Sequence, residues 1–171
     1  GGVGGEITSQ LVSLGRPLVL ANRSEKKSLV QRDHLLRRYP DAVIEIVTVD
    51  LMDTNQIAQA CLEINQLPGR IDALYNNAGV LTSERILSAQ GYESQFAVNV
   101  LATYQLTLGL FEKMSGPADA EPAVVVNFSS SAIGHPKSLE IGALSNPGEV
   151  GGLMKTYAQT KLATTALAPA M

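Results

Sequence analysis

Short apolar runs rich in β-branched residues alternate with helix-type segments along the chain, and this alternation limits the fold more than any other feature. The runs cover residues 17–21, 42–49, 71–75 and 123–128. Because these runs are almost continuously apolar, they predict strands that are buried on both faces. The sequence therefore predicts an α/β fold in which helices cover both faces of a parallel sheet.

Helix-type segments fill the intervals between the runs. We expect helices over residues 6–14, 24–39, 53–67 and 92–114, and a last one that starts near residue 151. Ser24 is a typical N-cap for the second helix, and Asp53 with Gln56 resembles a capping box at the start of the third. The helix over residues 92–114 is apolar on more than one stripe, which predicts burial or contact with a second subunit.

The composition fits a single globular domain over residues 1–171 and excludes several classes of protein. Hydrophobic residues make up 45% of the chain and charged residues 17%, which is typical of a globular protein with a core. The formal net charge of -3 gives no basic surface for nucleic acid, and no apolar run is long enough to span a membrane. A single cysteine, Cys61, excludes an intrachain disulfide and fits a reducing compartment, so we expect a cytoplasmic protein.

Neither end of the sequence resembles a natural terminus. The chain begins in a glycine cluster without an initiating Met, and it stops at Met171 while an apolar helical pattern is still running. We therefore expect an internal segment of a longer protein. The full reading frame tests this expectation, and a start codon directly before Gly1 would contradict it.

Tyr157 and Lys161 are the strongest candidates for proton transfer. Side chains four residues apart on a helix project from one face, so the phenol and the ammonium would lie one turn apart. A fixed positive charge beside a phenol stabilises the phenolate, which makes tyrosine a better acid or base near neutral pH. An ordinary surface helix can carry the same pair, so the assignment depends on the other motifs.

The glycines at the start of the chain have the character of a phosphate-binding turn. Gly2 and Gly4 precede a helix-type segment, and glycine lets the backbone approach a pyrophosphate at the positive end of a helix dipole. A flexible glycine linker would have the same sequence.

The end of the first predicted strand bears on the choice of cofactor. About twenty residues after the glycines, where an acidic residue often binds the adenosine ribose of NAD(H), this strand ends in Asn22 and Arg23. Arg23 can bind a 2′-phosphate instead, so the sequence favours NADP(H) over NAD(H). A solvated arginine at a helix start is the alternative.

The order of these motifs resembles the short-chain dehydrogenase/reductase family. The matching positions are residues 2–4, 50–51, 76–79, 99, 125–130 and 157–161. The resemblance implies a Rossmann-type doubly wound parallel sheet that is truncated at both ends, with the first strand and the last strands missing. The missing first strand would lie at the centre of the sheet, so the strands over residues 17–21 and 71–75 would lack a shared neighbour.

The resemblance also implies a role for each site residue. Ser130 orients the substrate carbonyl, Tyr157 is the general acid/base, and Lys161 binds the nicotinamide ribose and favours the ionised tyrosine. Asn99 holds a water that links the lysine to solvent. The matching cofactor-binding positions, together with Arg23, are Gly2, Gly4, Asp50, Leu51, Asn76, Ala78, Gly79, Tyr157 and Lys161.

One segment departs from the usual family pattern. The interval between Ser130 and Tyr157 is long, and the extra residues 135–152 are rich in Gly and Pro. This extension resembles the retinol-dehydrogenase-like branch, as does the strand end at residues 21–23. The segment either lines the substrate entrance or is a surface excursion.

These features together predict an NADP(H)-preferring oxidoreductase that interconverts an alcohol and a carbonyl on a small or lipid-like substrate. Two alternatives stay open: a non-catalytic dinucleotide-binding or interaction protein of the same fold, and a family reductase that acts on an activated C=C bond. The family pairs through the long helix and the catalytic helix, so the resemblance allows a homodimer.

Other kinds of site fit the sequence poorly. Residues 129–131 lack the Gly-x-Ser-x-Gly frame of a serine hydrolase. His135 has no identifiable acidic partner, and His34 lies in a polar helix, so neither is a candidate for catalysis. The two histidines are too far apart in sequence for metal-ligand spacing, and we expect no metal site. Cys61 occupies an apolar helix position, where a small core residue is expected.

Overall fold

Four parallel strands form two separate pairs in the computed structural model, which describes residues 2–82, 84–117, 119–140, 144 and 152–167. The strands are β1 (Leu18–Asn22), β2 (Ile44–Thr48), β3 (Ala73–Asn76) and β4 (Val124–Asn127). β1 pairs with β2, and β3 pairs with β4. Within the described ranges no strand joins the two pairs, so β1 and β3 lack a shared neighbour, as the resemblance implied.

Helices separate the strands along the chain, which confirms the predicted α/β alternation. They are α1 (Gly2–Ser13), α2 (Glu25–Arg38), α3 (Thr54–Gln66), α4 (Ser94–Phe96), α5 (Ala102–Gly109), α6 (Phe111–Met114) and α7 (Leu153–Leu167). A π-helical turn (Ala97–Leu101) joins α4 to α5, and a 3₁₀ turn (Ser131–Gly134) follows β4. Among the helices of the described residues, none has the length and apolar character needed to cross a membrane.

Strand β2 buries side chains on both faces. Ile44 packs with Val12 of α1 and Leu35 of α2, whereas Val47, three residues further along β2, packs with Ile57 of α3 and with residues of α5. Side chains an odd number of residues apart on a strand point to opposite faces. Helices therefore cover both faces of β2, as its apolar sequence predicted. The other strands are covered less completely: Val19 of β1 is 38% exposed and Val124 of β4 is 54% exposed.

Two of the predicted helices have different limits in the structure. α1 begins at Gly2 rather than at residue 6, so the glycines that were predicted to precede the helix form its first turn. The helix predicted over residues 92–114 is interrupted by the π-helical turn and again at Leu110. In the π-helical turn the amide of Ala102 donates to the carbonyl of Ala97, and the extra residue shifts the apolar stripe around the helix.

The N-caps of α2 and α3 occur where the sequence predicted them. Ser24 Oγ accepts a hydrogen bond from the Lys27 amide, and Asp53 Oδ1 accepts one from the Asn55 amide. The predicted capping box is wrong in detail, because Gln56 Oε1 accepts from the amide of Asp50 at 3.1 Å rather than from that of Asp53. This bond fixes Asp50 at the start of α3, beside the end of β2.

Gly109 of α5 lies against Cys61 of α3, and this contact leaves no room for a larger residue. A Cβ atom added at Gly109 would lie 2.6 Å from Cys61 Sγ. We expect Gly109→Ala to lower the free energy of unfolding by about 1–3 kcal/mol, because overpacking a core forces neighbouring groups apart. Urea-induced unfolding measures this change.

Gly5 in α1 is the matched control, because a Cβ atom there meets nothing within 4 Å. Gly5→Ala should raise the free energy of unfolding by up to about 1 kcal/mol through helix propensity. The additional substitution Cys61→Ala should recover part of the loss in Gly109→Ala. If the two glycine variants lose stability equally, the proposed clash is wrong.

Candidate active site

Predicted site residues follow the carboxyl end of each strand. Arg23 comes directly after β1, Asp50 follows β2, residues 77–79 follow β3, and Ser130 follows β4. Because the strands within each pair are parallel, their carboxyl ends lie at the same edge. Open α/β sheets bind ligands at this edge. The topology therefore places residues from distant parts of the sequence where a bound ligand can contact them.

Helix α7 carries Tyr157 and Lys161 on one face, as the four-residue spacing predicted. Lys161 Nζ lies 5.9 Å from the centroid of the Tyr157 ring. The ammonium donates a hydrogen bond of 2.8 Å to the backbone carbonyl of Phe128, just beyond β4. Lys161 is only 5% exposed, and this burial lowers its pKa. Tyr157 is half-buried beside it.

The loop after β3 passes close to the Lys161 ammonium at Gly79. A Cβ atom added at Gly79 would lie 3.1 Å from Lys161 Nζ and 3.4 Å from Asn99 Oδ1. Any larger residue would therefore press on the lysine or on the asparagine. Glycine at this position lets the loop backbone reach the charged end of Lys161.

Asn99 connects the same loop to α7. Its Oδ1 accepts from the amide of Val80 at 2.8 Å, and its Nδ2 donates to Thr160 Oγ1 and to the carbonyl of Val80. Thr160 in turn donates to the carbonyl of Tyr157 at 2.7 Å. Asn99 is 1% exposed, so this network is shielded from water and holds α7 against the end of β3.

The π-helical turn explains the unusual backbone contacts of Asn99. Its carbonyl accepts hydrogen bonds from the hydroxyls of Thr103, at 3.2 Å, and Thr164, at 2.8 Å. A π-helical turn disturbs the regular backbone ladder and often marks a functional position. Thr164 belongs to α7, so the backbone and the side chain of Asn99 both bind this helix.

Ser130 caps the 3₁₀ turn that follows β4. Its Oγ accepts a hydrogen bond of 3.2 Å from the amide of Ala132, and the residue is half-buried. In the described part of the chain, its hydroxyl proton makes no hydrogen bond, and Ser130 is not bonded to Tyr157. The neighbouring Ser129 shares a 2.8 Å hydrogen bond with Thr165 of α7, which fixes the strand end beside the helix.

The predicted cofactor-binding residues occupy different environments. Asp50 is half-buried, and its Oδ1 accepts from the amide of Met52 at 3.0 Å. Leu51 packs against the core between α3 and α5. Asn76 is buried, and its amide nitrogen donates to Asn127 Oδ1 at 2.9 Å and to a threonine of α5, so its side chain links β3 to β4. Ala78 is exposed.

The first turn of α1 lies against the loop after β3. A Cβ atom added at Gly4 would lie 2.5 Å from Asn77 Nδ2, whereas one added at Gly2 would meet nothing within 4 Å. Gly2 has a φ of +68°, which glycine adopts without strain. Arg23 is exposed and forms no salt bridge with the residues that the structure describes.

Several contacts at the site were not predicted from the sequence. Thr160 and Thr164 bind Asn99, the backbone carbonyl of Phe128 accepts from Lys161, and Gln159 is 1% exposed beneath the segment that follows Ser130. Thr160 and Gln159 lie between Tyr157 and Lys161. The signal for their contacts in the sequence was that both are uncharged polar residues inside this motif.

Comparison with known proteins identifies the family. The family model for short chain dehydrogenases matches residues 1–142. The chloroplastic short-chain dehydrogenase TIC 32 A of Brassica napus is 30% identical over 167 residues, which cover 95% of this chain and 52% of that protein. Human retinol dehydrogenase 13 is 27% identical over 164 residues, which cover 95% of this chain and 48% of that protein. The chain thus spans about half the length of the curated relatives it matches.

Solved structures share the fold. A short-chain dehydrogenase from Sphingobium yanoikuyae, solved in complex with NADPH, superposes with a TM-score of 0.75 at 20% sequence identity. The match covers 99% of this chain and 59% of that structure. This likeness confirms the Rossmann-type α/β architecture, and the match to human retinol dehydrogenase 13 agrees with the resemblance to that branch. The chain belongs to the short-chain dehydrogenase family.

Proposed function

We propose that the protein containing this chain is an NADP(H)-preferring oxidoreductase that interconverts an alcohol and a carbonyl compound. The observation that carries the proposal is the position of the Lys161 ammonium. It lies beside the Tyr157 ring, against the Gly79 loop and on the Phe128 carbonyl. A phenol, a buried cation and an open strand edge are the elements that a proton-coupled hydride transfer requires.

The residues at the strand edge fit a nicotinamide dinucleotide. Gly4 allows the first turn of α1 to lie against the loop after β3, and the exposed Ala78 and Gly79 leave that loop open to a ligand. Asp50 presents a carboxylate for a base or sugar, and Arg23, which forms no salt bridge within the described part of the chain, presents a guanidinium for a 2′-phosphate. The NADPH complex of the Sphingobium relative supports this choice of cofactor.

A bound nicotinamide supplies or accepts the hydride. In the reductive direction, Tyr157 donates its phenolic proton to the oxygen that becomes the alcohol. Ser130 accepts from the Ala132 amide, so its own hydroxyl proton can stabilise the same oxygen. Lys161 stabilises the phenolate that remains, and its burial reduces the screening of its charge by water.

We also propose that the substrate is a small or lipid-like alcohol or carbonyl compound, which the retinol dehydrogenase relative supports.

We further propose that the protein pairs with a second copy of itself. On α5 and α6, Tyr104, Leu108 and Phe111 are 41%, 52% and 51% exposed. Tyr104 and Leu108, four residues apart on α5, share one side of that helix, and Phe111 follows on α6; this group of exposed apolar side chains supports pairing with a second copy of the protein.

Turnover with a panel of aldehydes, ketones and activated alkenes tests the proposal. The experiment follows the near-ultraviolet absorbance of reduced nicotinamide in the protein that contains this chain, and identifies the product. We expect alcohol formation from at least one carbonyl compound. Cofactor binding without turnover on any substrate would favour a non-catalytic binding protein, and a saturated carbonyl product would favour an alkene reductase.

The cofactor preference depends on Arg23. Arg23→Ala should weaken NADPH binding by about 10- to 100-fold, because a charge-assisted bond to the 2′-phosphate is lost, and should change NADH binding little. Titration of cofactor fluorescence measures both constants.

Arg16 is the matched control for Arg23. It is also exposed but lies before β1, at the opposite end of that strand. Arg16→Ala should leave both cofactor affinities unchanged. Equal losses of NADPH and NADH binding in Arg23→Ala would contradict the proposed phosphate contact.

A further inference from the structure

The face of α7 that carries Tyr157 is polar and largely buried. Four residues at helical spacing lie along one stripe of this helix, namely Tyr157, Thr160, Lys161 and Thr164. Thr160, Lys161 and Thr164 are 0%, 5% and 3% exposed. Buried polar groups require hydrogen-bond partners. The partners of this stripe therefore show what holds the proposed proton donor in place.

Thr164 joins the stripe to the π-helical turn. Its hydroxyl proton lies between two carbonyls, that of Asn99 at 2.8 Å and that of Thr160 at 2.9 Å. The bond to Thr160 is the usual one from a threonine to the preceding turn of its own helix. The bond to Asn99 crosses to another element, where the hydroxyl of Thr103 donates to the same carbonyl at 3.2 Å. Thr164 therefore fixes the backbone of Asn99 relative to α7.

Asn99 extends this connection to the loop after β3. Its side chain accepts from the amide of Val80 and donates to the Val80 carbonyl, so it binds both backbone groups of that residue. The adjacent Gly79 approaches Lys161 so closely that a Cβ atom there would lie 3.1 Å from Nζ. One buried residue thus connects the loop that is proposed to contact the cofactor with the helix that carries Tyr157.

We propose that Thr164 is a positioning residue, which sets the distance between Tyr157 and a cofactor bound at the loop after β3. This role rests on the proposed function. Because Thr164 is buried and its hydroxyl is bonded to two carbonyls, it acts through Asn99 and not on the substrate. A displacement of about 1 Å between reacting groups can lower a rate by about 10²-fold. Loss of the bond to Asn99 should therefore slow the chemical step and leave binding nearly unchanged.

The test replaces Thr164 with Val, which has nearly the same shape but lacks the hydroxyl, in the protein that contains this chain. We expect kcat and kcat/KM for carbonyl reduction to fall equally, by about 10- to 100-fold, because the positioning matters only in the transition state. The dissociation constant of NADPH should change by less than about threefold. The value of kcat is expressed per NADPH-binding site, counted by fluorescence titration, so that unfolded molecules do not contribute to the loss.

Hydrogen exchange at the Val80 amide shows whether the effect passes through Asn99. That amide donates to Asn99 Oδ1 and has no bond to Thr164. In Thr164→Val its exchange should accelerate by about three- to tenfold, because the loss of one hydrogen bond shifts a local opening equilibrium by up to about that factor. A threonine that only fills space in the core would leave the exchange of this amide unchanged.

Two further variants are the controls. Thr164→Ser keeps the hydroxyl, so it should recover kcat and the Val80 exchange rate to within about threefold of the wild type. Thr156→Val is the matched control, because Thr156 is also a buried threonine of α7 and donates to the carbonyl four residues earlier, that of Gly152, at 3.2 Å. Among the residues that the structure describes, it bonds to no other element, so Thr156→Val should match the wild type in both measurements.

The possible failures are distinguishable. If Thr164→Val keeps the wild-type kcat per binding site, or if Thr156→Val loses as much, the role of Thr164 is wrong and the proposed function stands. A loss of kcat without faster exchange at Val80 would also overturn this role, because the effect would not pass through Asn99. If NADPH affinity falls together with kcat, Thr164 is simply structural. If the wild type reduces no carbonyl compound, the proposed function and the role of Thr164 in it are both wrong.

Discussion

Replacing Tyr157 with Phe should lower kcat/KM for carbonyl reduction by about 10²–10⁴, the usual contribution of a positioned general acid. The substitution removes only the phenolic oxygen, so the ring can keep its place beside Lys161. NADPH affinity should therefore change by less than about threefold, equivalent to less than 1 kcal/mol. Steady-state kinetics combined with a fluorescence titration of NADPH separates these two quantities.

Tyr39 provides the matched control for this experiment. It is the C-terminal cap of α2 and packs against the cluster of Val12, Leu20, Leu35 and Ile44. Tyr39→Phe should retain wild-type kcat/KM. Turnover of Tyr157→Phe at more than a third of the wild-type rate would show that another group donates the proton.

Replacing Lys161 with Met should also abolish most turnover while leaving the protein folded. The positive charge next to Tyr157 is lost, so the phenolate is no longer stabilised and kcat/KM should fall by about 10² or more. The fold loses one hydrogen bond to the Phe128 carbonyl but no longer buries a charge. Because these effects oppose each other, the free energy of unfolding should change by less than about 1 kcal/mol at neutral pH.

The pH dependence of stability gives an independent check on Lys161. Burial lowers its pKa in the folded protein from the ordinary value of 10.5, so the unfolded chain binds this proton more tightly. The cost of burying the charge is fully present below the folded pKa and is relieved as the pH rises from there to 10.5. The stability of the wild type relative to Lys161→Met should therefore increase with pH in this window.

Urea unfolding of both proteins at about pH 7 and about pH 9.5 measures that difference. Lys113→Met is a suitable control, because this lysine is on α6 and its Nζ binds the carbonyls of Asn65 and Leu67 far from the site. Its unfolding is measured at the same two pH values, as the reference for removing a lysine from another helix. A difference between wild type and Lys161→Met that is constant with pH would contradict the burial of a charged lysine.

The π-helical turn at Asn99 shows where local sequence patterns fail. Residues 92–114 carry apolar residues on more than one stripe, and this pattern predicts burial or subunit contact. The structure adds a second cause, because the extra residue of the π-helical turn rotates the apolar stripe. In this turn the side-chain amide of Asn99 donates to Thr160 Oγ1, and its carbonyl accepts from the Thr164 hydroxyl. Both threonines belong to α7 and lie more than sixty residues further along the chain, so local patterns cannot show these contacts.

The glycines at the start of the chain illustrate a similar limit. Gly2 and Gly4 were predicted to form a turn before a helix, whereas they are the first turn of α1. Glycine is a poor helix former, so propensity alone places the helix start too late. A Cβ atom at Gly4 would lie 2.5 Å from Asn77 Nδ2, so a residue with a side chain would have to displace the Asn77 amide.

The sequence alone determined the architecture and the identity of the candidate residues. Continuous apolar strands between amphipathic helices require a sheet covered on both faces, and a four-residue spacing on a helix requires Tyr157 and Lys161 to share one side. These are local consequences of backbone geometry. Only the tertiary structure decided that Lys161 binds the Phe128 carbonyl, that Asn99 joins the Val80 loop to α7, and that Gln159 holds residues 138 and 140. Such contacts join residues that are far apart in the chain, and packing between elements rather than local propensity selects them.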